Sequence, residues 1–281
     1  MLFKPVPRLE LKVDKRFGIG NQSASSAPTL LEPFGYAIKN GFHAFEWFPD
    51  RNESDGWDIS FIDHEGRKSI KNIAAERDIA LSVHAPWWAN PLRTEIHELL
   101  INHFIFARDI GATLLNVHLF NEEGIEPYVK ALTSFIKYSA EIGIRLSIEN
   151  TPLTGPEDFN EMFALLSNVK DINAGHVGMC LDVGHANLND STRNDYLKFI
   201  DHLDPGIPII HVHLHENYGD RDSHLTIFTG PSGEDDAGIR ELIRRLKKKN
   251  FSGSIILEQW PEPRTLLNQA RDRLFQIIGR E

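Results

Sequence analysis

Short apolar runs rich in β-branched residues alternate with longer amphipathic stretches from Phe17 to the end of the chain, the pattern of parallel strands joined by crossover helices. The runs predict eight strands, at residues 17–20, 44–48, 81–84, 114–119, 145–149, 177–181, 209–214 and 254–258. Between them the apolar positions change to helical spacing: Ile96, Leu99, Leu100, Phe104 and Ala107 fall on one face, as do Ile239, Leu242, Ile243 and Leu246. Gly111, Gly143 and Gly253 each follow a predicted helix, where a C-terminal cap or tight turn suits glycine. No stretch reads as a linker, a low-complexity tract or a second domain. Eight βα units in 281 residues predict one α/β domain over 1–281, closed as a (β/α)8 TIM barrel, with its first strand near residue 17 and its last helix ending near 279.

Composition narrows the function more than the fold. Hydrophobic residues at 41% and charged residues at 25% exclude a disordered or collagenous chain. A formal charge of -10 gives no general attraction to phosphate backbones or anionic membranes. The single Cys180 cannot form an internal disulfide and reads as a small core residue. Residues 1–17 mix charges with apolar positions and lack the apolar stretch of a secretory signal, and no run approaches a membrane span. The expectation is a cytoplasmic protein without a membrane partner; oligomeric state is left open.

In a βα barrel, reacting groups sit where strands end, because the βα loops line one face while the strand interiors fill the core. The predicted strand ends carry His84, His118, Glu149, Asp182, His213 and Glu258, the first five spaced by 31 to 34 residues, one βα unit each. Histidines and acidic residues make up 53 of 281 positions, too few for six of six strand ends to carry one by accident. Several carboxylates and imidazoles converging in a barrel mouth need a compensating charge, and a divalent cation supplies it. His185, three residues after Asp182, and the Asp222-x-His224 pair extend the set to nine candidate ligands, enough for two or three ions, with Glu149 placed to bridge.

At these residues the sequence resembles the xylose isomerase-like TIM-barrel superfamily, which includes sugar phosphate isomerases and epimerases and endonuclease IV-like proteins. The resemblance runs from about strand one to strand eight. The endonuclease IV-like pattern implies one zinc on His84, His118 and Glu149, a second on Glu149, Asp182, His213 and Glu258, and a third on His185, Asp222 and His224. The epimerase-like pattern implies a single manganese, cobalt or magnesium on Glu149, Asp182, His213 and Glu258, with the two glutamates exchanging protons with substrate carbons. The segment HLHENYGDRDSHL is similar to the HLHDN…DxHL segment of sugar isomerase-like members, and Glu46 to their usual strand-two glutamate. The chain departs from the nucleases where they have His-Pro-Gly after strand four, with His118-Leu119-Phe120 instead. It departs again after Glu149, where residues 150–155 replace their glycine-rich run. Both departures fall in loops that would approach DNA.

Two chemistries fit these nine residues. Isomerisation or epimerisation of a sugar or sugar phosphate would use a metal-stabilised enediolate, with Glu149 and Glu258 as base and acid; phosphodiester hydrolysis would use clustered zinc to activate water and clamp oxygens, with His185 in the centre and nucleic acid as partner. The resemblance makes the isomerase the leading reading and the zinc-dependent hydrolase the alternative, with one to three ions, zinc or manganese first and magnesium or cobalt next. A barrel that binds a ligand without turnover is a third class. Substrate contacts are expected from Glu46, His211 and Arg221. They are expected too from the tryptophans near strand ends, Trp47, Trp87, Trp88 and Trp260, with Trp57 among them, whose faces suit a sugar ring or a nucleobase and equally well pack loops. His43, His64, His97, His103, His176 and His202 read as solvated or packing histidines, and His215 is ambiguous. Residues 229–233 carry a weak glycine-rich signal for phosphate, which a helix start explains as well. Arg244, Arg245, Lys247, Lys248 and Lys249 end the seventh predicted helix on the opposite face and complement its dipole.

Overall fold

A computed structural model describes residues 16–51, 56–170 and 172–281; the signal-free N-terminus over 1–15 expected above lies outside the described residues. Eight parallel strands close into a barrel: β1 (Phe17–Gln22), β2 (Ala44–Trp47), β3 (Ala80–His84), β4 (Leu114–His118), β5 (Arg145–Glu149), β6 (Val177–Asp182), β7 (Ile209–Leu214) and β8 (Gly253–Leu257), with β8 pairing back to β1. The helices are α1 (Glu32–Asn40), α2 (His64–Arg77), α3 (His97–Ile110), α4 (Ile125–Ile142), α5 (Pro156–Ser167), α6 (Val183–Leu188), α7 (Tyr196–His202), α8 (Pro231–Glu234), α9 (Ala237–Lys248) and α10 (Thr265–Arg280). The expected (β/α)8 architecture is observed. Strand ends differ from expectation by one or two residues, and the sixth and seventh connections each hold two helices rather than one.

The apolar core lies between barrel and helices, where Phe45, Trp47, Phe104, Phe159 and Phe199 are fully buried. Gly111 and Gly143 cap α3 and α4 in the left-handed region, at φ 77° and 72°, as helix C-termini require. Gly253 does something else. It opens β8, and a Cβ there would lie 2.2 Å from the Ile210 carbonyl oxygen, so the residue permits close strand approach rather than a cap. The basic run ending α9 is on the far face as expected, but specific partners hold it. Arg245 Nε donates to Asp201 Oδ1 at 2.8 Å, and Lys247 Nζ donates to the Ile278 carbonyl at 2.6 Å. Among the described residues, no helix is long and apolar enough to cross a membrane.

Register positions the mouth. His118 pairs with Glu149 across β4 and β5, and Asp182 with His213 across β6 and β7, so consecutive expected ligands stand side by side. Beneath them the barrel interior is polar where many barrels stack aliphatic layers. Ser82, Asn116, Ser147, Cys180 and His211 are all buried, and each precedes an expected ligand by two residues, the interval that returns a strand to the same face.

Candidate metal centre at the barrel mouth

Glu149 ends β5 at the middle of the site, with four imidazoles around its carboxylate. His84 Nε2 and His213 Nδ1 stand 3.0 and 3.2 Å from Oε2; His118 Nε2 and His185 Nδ1 each stand 3.4 Å from Oε1. Asn116 Nδ2 donates to Oε2 from below, and Ser147 Oγ donates to Asn116 Oδ1 at 2.7 Å, fixing the carboxylate plane. Burial alone would favour the neutral acid, yet His213, His118 and His84 together hold the Glu149 carboxyl well below the ordinary range.

Asp182 ends β6 and also starts α6. Its Oδ1 accepts from the His185 backbone N–H at 2.7 Å, the N-cap contact, and that cap explains the Asp-x-x-His spacing: the third helical residue is the one a capping carboxylate touches. The His185 ring returns toward the mouth, Nδ1 donating to the Asn150 carbonyl at 2.9 Å and Nε2 lying 3.2 Å from Asp222 Oδ2. Asn150 also ties β5 to β6, its amide exchanging two 2.9 Å hydrogen bonds with the Asp182 backbone. His224 Nε2 reaches the same Asp222 Oδ2 at 3.2 Å. The loop bearing Asp222 and His224 is closed at its base by paired backbone hydrogen bonds between Glu216 and Leu225, at 2.9 and 2.8 Å.

His213 is the residue on which the centre turns. Its Nδ1 faces Glu149 Oε2 and Glu258 Oε1, both at 3.2 Å, and Asp182 Oδ2 at 3.9 Å; its Nε2 lies 2.7 Å from Glu46 Oε1. The ring is fully buried, and neither nitrogen makes a hydrogen bond despite these distances. A buried imidazole nitrogen ringed by three carboxylates but aligned with none is what a ligand set around a common cation presents. The mixed N and O donors suit zinc, manganese, cobalt or magnesium. Glu149, Asp182, His213 and Glu258 would hold one ion, and His84, His118 and Glu149 are close enough to hold another. His185, Asp222 and His224 form a further set, which His215 joins.

All nine expected ligands are thus brought together. Other expectations need correction. Glu46 and His211 are buried beneath His213, Glu46 Oε2 pairing with His211 Nε2 at 2.9 Å, and neither lines the cavity at the mouth. Trp47 follows Glu46 and therefore points the other way, packed against Phe34, Phe45 and Trp57 outside the barrel, so it is core. Arg221 is exposed, and so is Trp87, while Trp88 is half-buried in the same β3–α3 loop. Trp57 and Trp260 do line a cavity at the mouth, beside Glu258 and His224. The glycine-rich turn at 229–233 already holds an anion, because the Gly230 and Ser232 backbone N–H groups donate to the Glu216 carboxylate at 3.1 and 2.9 Å.

Sequence reasoning missed His215 as a member of the site. It is fully buried, its Nε2 lies 3.2 Å from Asp182 Oδ1, and its ring stacks on His224 at 3.9 Å. The signal is alternation: His211, His213 and His215 share one parity, although the third lies past the predicted strand end. The buried layer of Ser82, Asn116, Ser147 and Cys180 carried the same signal, two residues before each ligand.

The sequence pattern of the xylose isomerase-like TIM barrels matches residues 34–276. The Methanocaldococcus jannaschii protein MJ1311 is 26% identical over 231 residues, covering 73% of this chain and 74% of its own. Among solved structures, a D-tagatose 3-epimerase-like protein superposes with a TM-score of 0.70 at 21% identity, covering 93% of this chain and 98% of that one. A D-psicose 3-epimerase crystallised in the presence of D-fructose gives a TM-score of 0.67 at 12% identity, covering 93% and 99%. At such identities these likenesses speak to the fold.

Proposed function

The chain belongs to the xylose isomerase-like TIM-barrel family, and from that premise we propose that it is a divalent-metal-dependent isomerase or epimerase acting on a sugar or sugar phosphate. The observation that carries this reading is His213 Nδ1, set among Glu149, Asp182 and Glu258 and braced from behind by Glu46. When bound by this quartet, a divalent ion would hold adjacent carbonyl and hydroxyl oxygens of the substrate and stabilise the enediolate.

The residues themselves divide the proton work. Glu149 and Glu258 flank the same imidazole nitrogen, and they are the two groups that would remove and return the proton at the carbon beside the carbonyl; a cation held between them would keep both ionised at rest. The test is exchange of substrate carbon-bound hydrogen in D2O, followed by proton NMR on protein reloaded in turn with manganese, cobalt, magnesium or zinc. Wild type is expected to exchange, and Glu258→Gln to lose about 100-fold or more. Absence of exchange for every sugar and sugar phosphate with every metal would overturn the reading.

A second reading is favoured by one further observation: His84, His118, His185, Asp222 and His224 exceed what a single ion needs. Clustered ions suit phosphodiester hydrolysis, in which they activate water and clamp leaving oxygens. Elemental analysis of chelator-free protein separates the two. About three zinc ions per chain, with one lost in a His185→Ala/Asp222→Ala variant, together with abasic-site DNA incision abolished by Glu149→Gln, would favour the hydrolase.

A further inference from the structure

A cavity of about 330 Å3 lies in the furrow between α2 and α3, on the outside of the barrel, and shares no lining residue with the one at the mouth. It is lined by His64, Arg67, Lys68 and Lys71 of α2 and by Arg108 and Asp109 of α3. The α2 residues are spaced by three and four positions, so they fall on one helix face. The one carboxylate in the furrow is already engaged: Asp109 Oδ2 accepts from Arg67 Nη1 and Oδ1 from Arg108 Nη2, both at 3.2 Å. Arg67 is held in place, Nε donating to the Ile62 carbonyl and Nη2 to the Ile59 carbonyl at 3.0 Å each, with its guanidinium over the Phe106 ring. Lys71 runs its stem along the end of α3, where a Cβ on Gly111 would come within 3.0 Å of Lys71 Cγ. Lys68 and Lys71 are exposed and make no hydrogen bond or ion pair among the described residues.

On a chain of net charge -10, four lysines and arginines thus meet one carboxylate in a single concave furrow. The dipole of α3 accounts for a cation near its C-terminus, such as Arg108, but Arg67 and Lys68 stand in the first two turns of α2, where the dipole disfavours positive charge. The furrow offers N–H donors and charge, and a complement to it carries several anionic oxygens. Guanidinium and ammonium groups side by side meet phosphate in two ways, the first as a planar fork and the second as a point charge. No aromatic side chain lines the furrow, so a nucleobase finds no stacking platform, and the volume is that of a small-molecule pocket rather than of a stripe that tracks a nucleic-acid backbone. We propose that the furrow between α2 and α3 binds a small, multiply charged phosphate compound, with Lys68, Lys71 and Arg108 contacting its oxygens and Arg67 as the fixed cation among them. The site lies apart from the barrel mouth and does not depend on the isomerase or epimerase reading.

Calorimetry at about 50 mM salt, where exposed charges are weakly screened, tests this with inorganic pyrophosphate, orthophosphate and a single-stranded DNA oligonucleotide as probes. Wild type is expected to bind pyrophosphate about tenfold more tightly than orthophosphate. Lys68→Ala/Lys71→Ala should weaken pyrophosphate about tenfold, while Lys68→Arg/Lys71→Arg should hold it within about threefold. Asp109→Asn removes the negative charge that competes for Arg67 and Arg108, and should tighten pyrophosphate about threefold. The lysines are exposed, so an unchanged melting temperature is expected to accompany both lysine variants. Pyrophosphate also binds metal ions, and binding at the barrel mouth would survive the loss of both lysines. Pyrophosphate affinity unmoved in Lys68→Ala/Lys71→Ala would therefore overturn the assignment, as would a wild type that binds no pyrophosphate or binds orthophosphate as tightly. An oligonucleotide that binds more tightly than pyrophosphate, and loses that affinity with the two lysines, would overturn it in favour of nucleic acid.

Discussion

Glu46 shows how much of this centre depends on residues that touch nothing but other residues. Its carboxylate has one oxygen on His211 and the other facing His213, so it fixes which nitrogen His213 turns to the mouth. Glu46→Gln should therefore cost roughly 10- to 100-fold in metal affinity, measured by competition with a chelating dye, while the fold by circular dichroism stays unchanged. Unchanged affinity would show that His213 needs no brace. His224 gives a pH prediction for the metal-free protein. Burial disfavours its charged form, but the hydrogen bond it donates to the Asp222 carboxylate and the nearby Glu258 charge outweigh that and raise it to about 9. A pKa raised on folding stabilises fully below the unfolded value, near 6.5, and that contribution fades as pH climbs through about 9. Metal-free protein should thus lose melting temperature between pH 7 and 9, and His224→Gln should flatten that slope; a wild-type slope matched by the variant would contradict the assignment.

At the scale of elements, the turn between β6 and α6 joins fold and site. Asp182 caps the helix, and Gly184 leaves room for the His215 ring: a Cβ there would come within 2.0 Å of His215 Cε1. Gly184→Ala should cost about 1–3 kcal/mol by chemical denaturation and shift the His215 ring signals in NMR, because an overpacked contact must be relieved by movement. Equal stability and unshifted ring signals would mean the backbone gives instead. This level also shows what could be read in advance. The eight strands and the six acidic or histidine residues at their ends were legible, because alternation and βα spacing are written in local sequence. Glu46 and His211 were legible as inward residues yet misjudged in depth, since closure of the barrel, and not local pattern, decides which inward side chain lies under which. Asp50 and Gln22 left no trace: neither sits on a strand end that carries a candidate ligand, and only the assembled mouth brings them to the cavity that Glu258 also lines.

For the whole molecule, the ion binding proposed above would make binding and folding one equilibrium. A chain of net charge -10 that gathers Glu149, Asp182 and Glu258 around one point gains stability from any cation that binds the folded state alone, about 2.7 kcal/mol for each site at a hundred times its dissociation constant. Melting temperature should rise with manganese or zinc and fall back with a chelator; a melting temperature indifferent to both would argue that the imidazoles and carboxylates only pair with each other. The ligands are also mounted in two ways. His84, His118, Glu149, Asp182 and His213 are rooted in strands of a sheet that closes on itself and has no edge to fray, whereas Asp222 and His224 ride on a loop pinched at its base by the Glu216–Leu225 pair. Loops open by local fluctuation, and closed sheets only by breathing of the whole domain. Bound ions would therefore have two lifetimes: under a chelator, the one held by the loop should leave early and those held by the strands late, turning a static list of ligands into an order of departure.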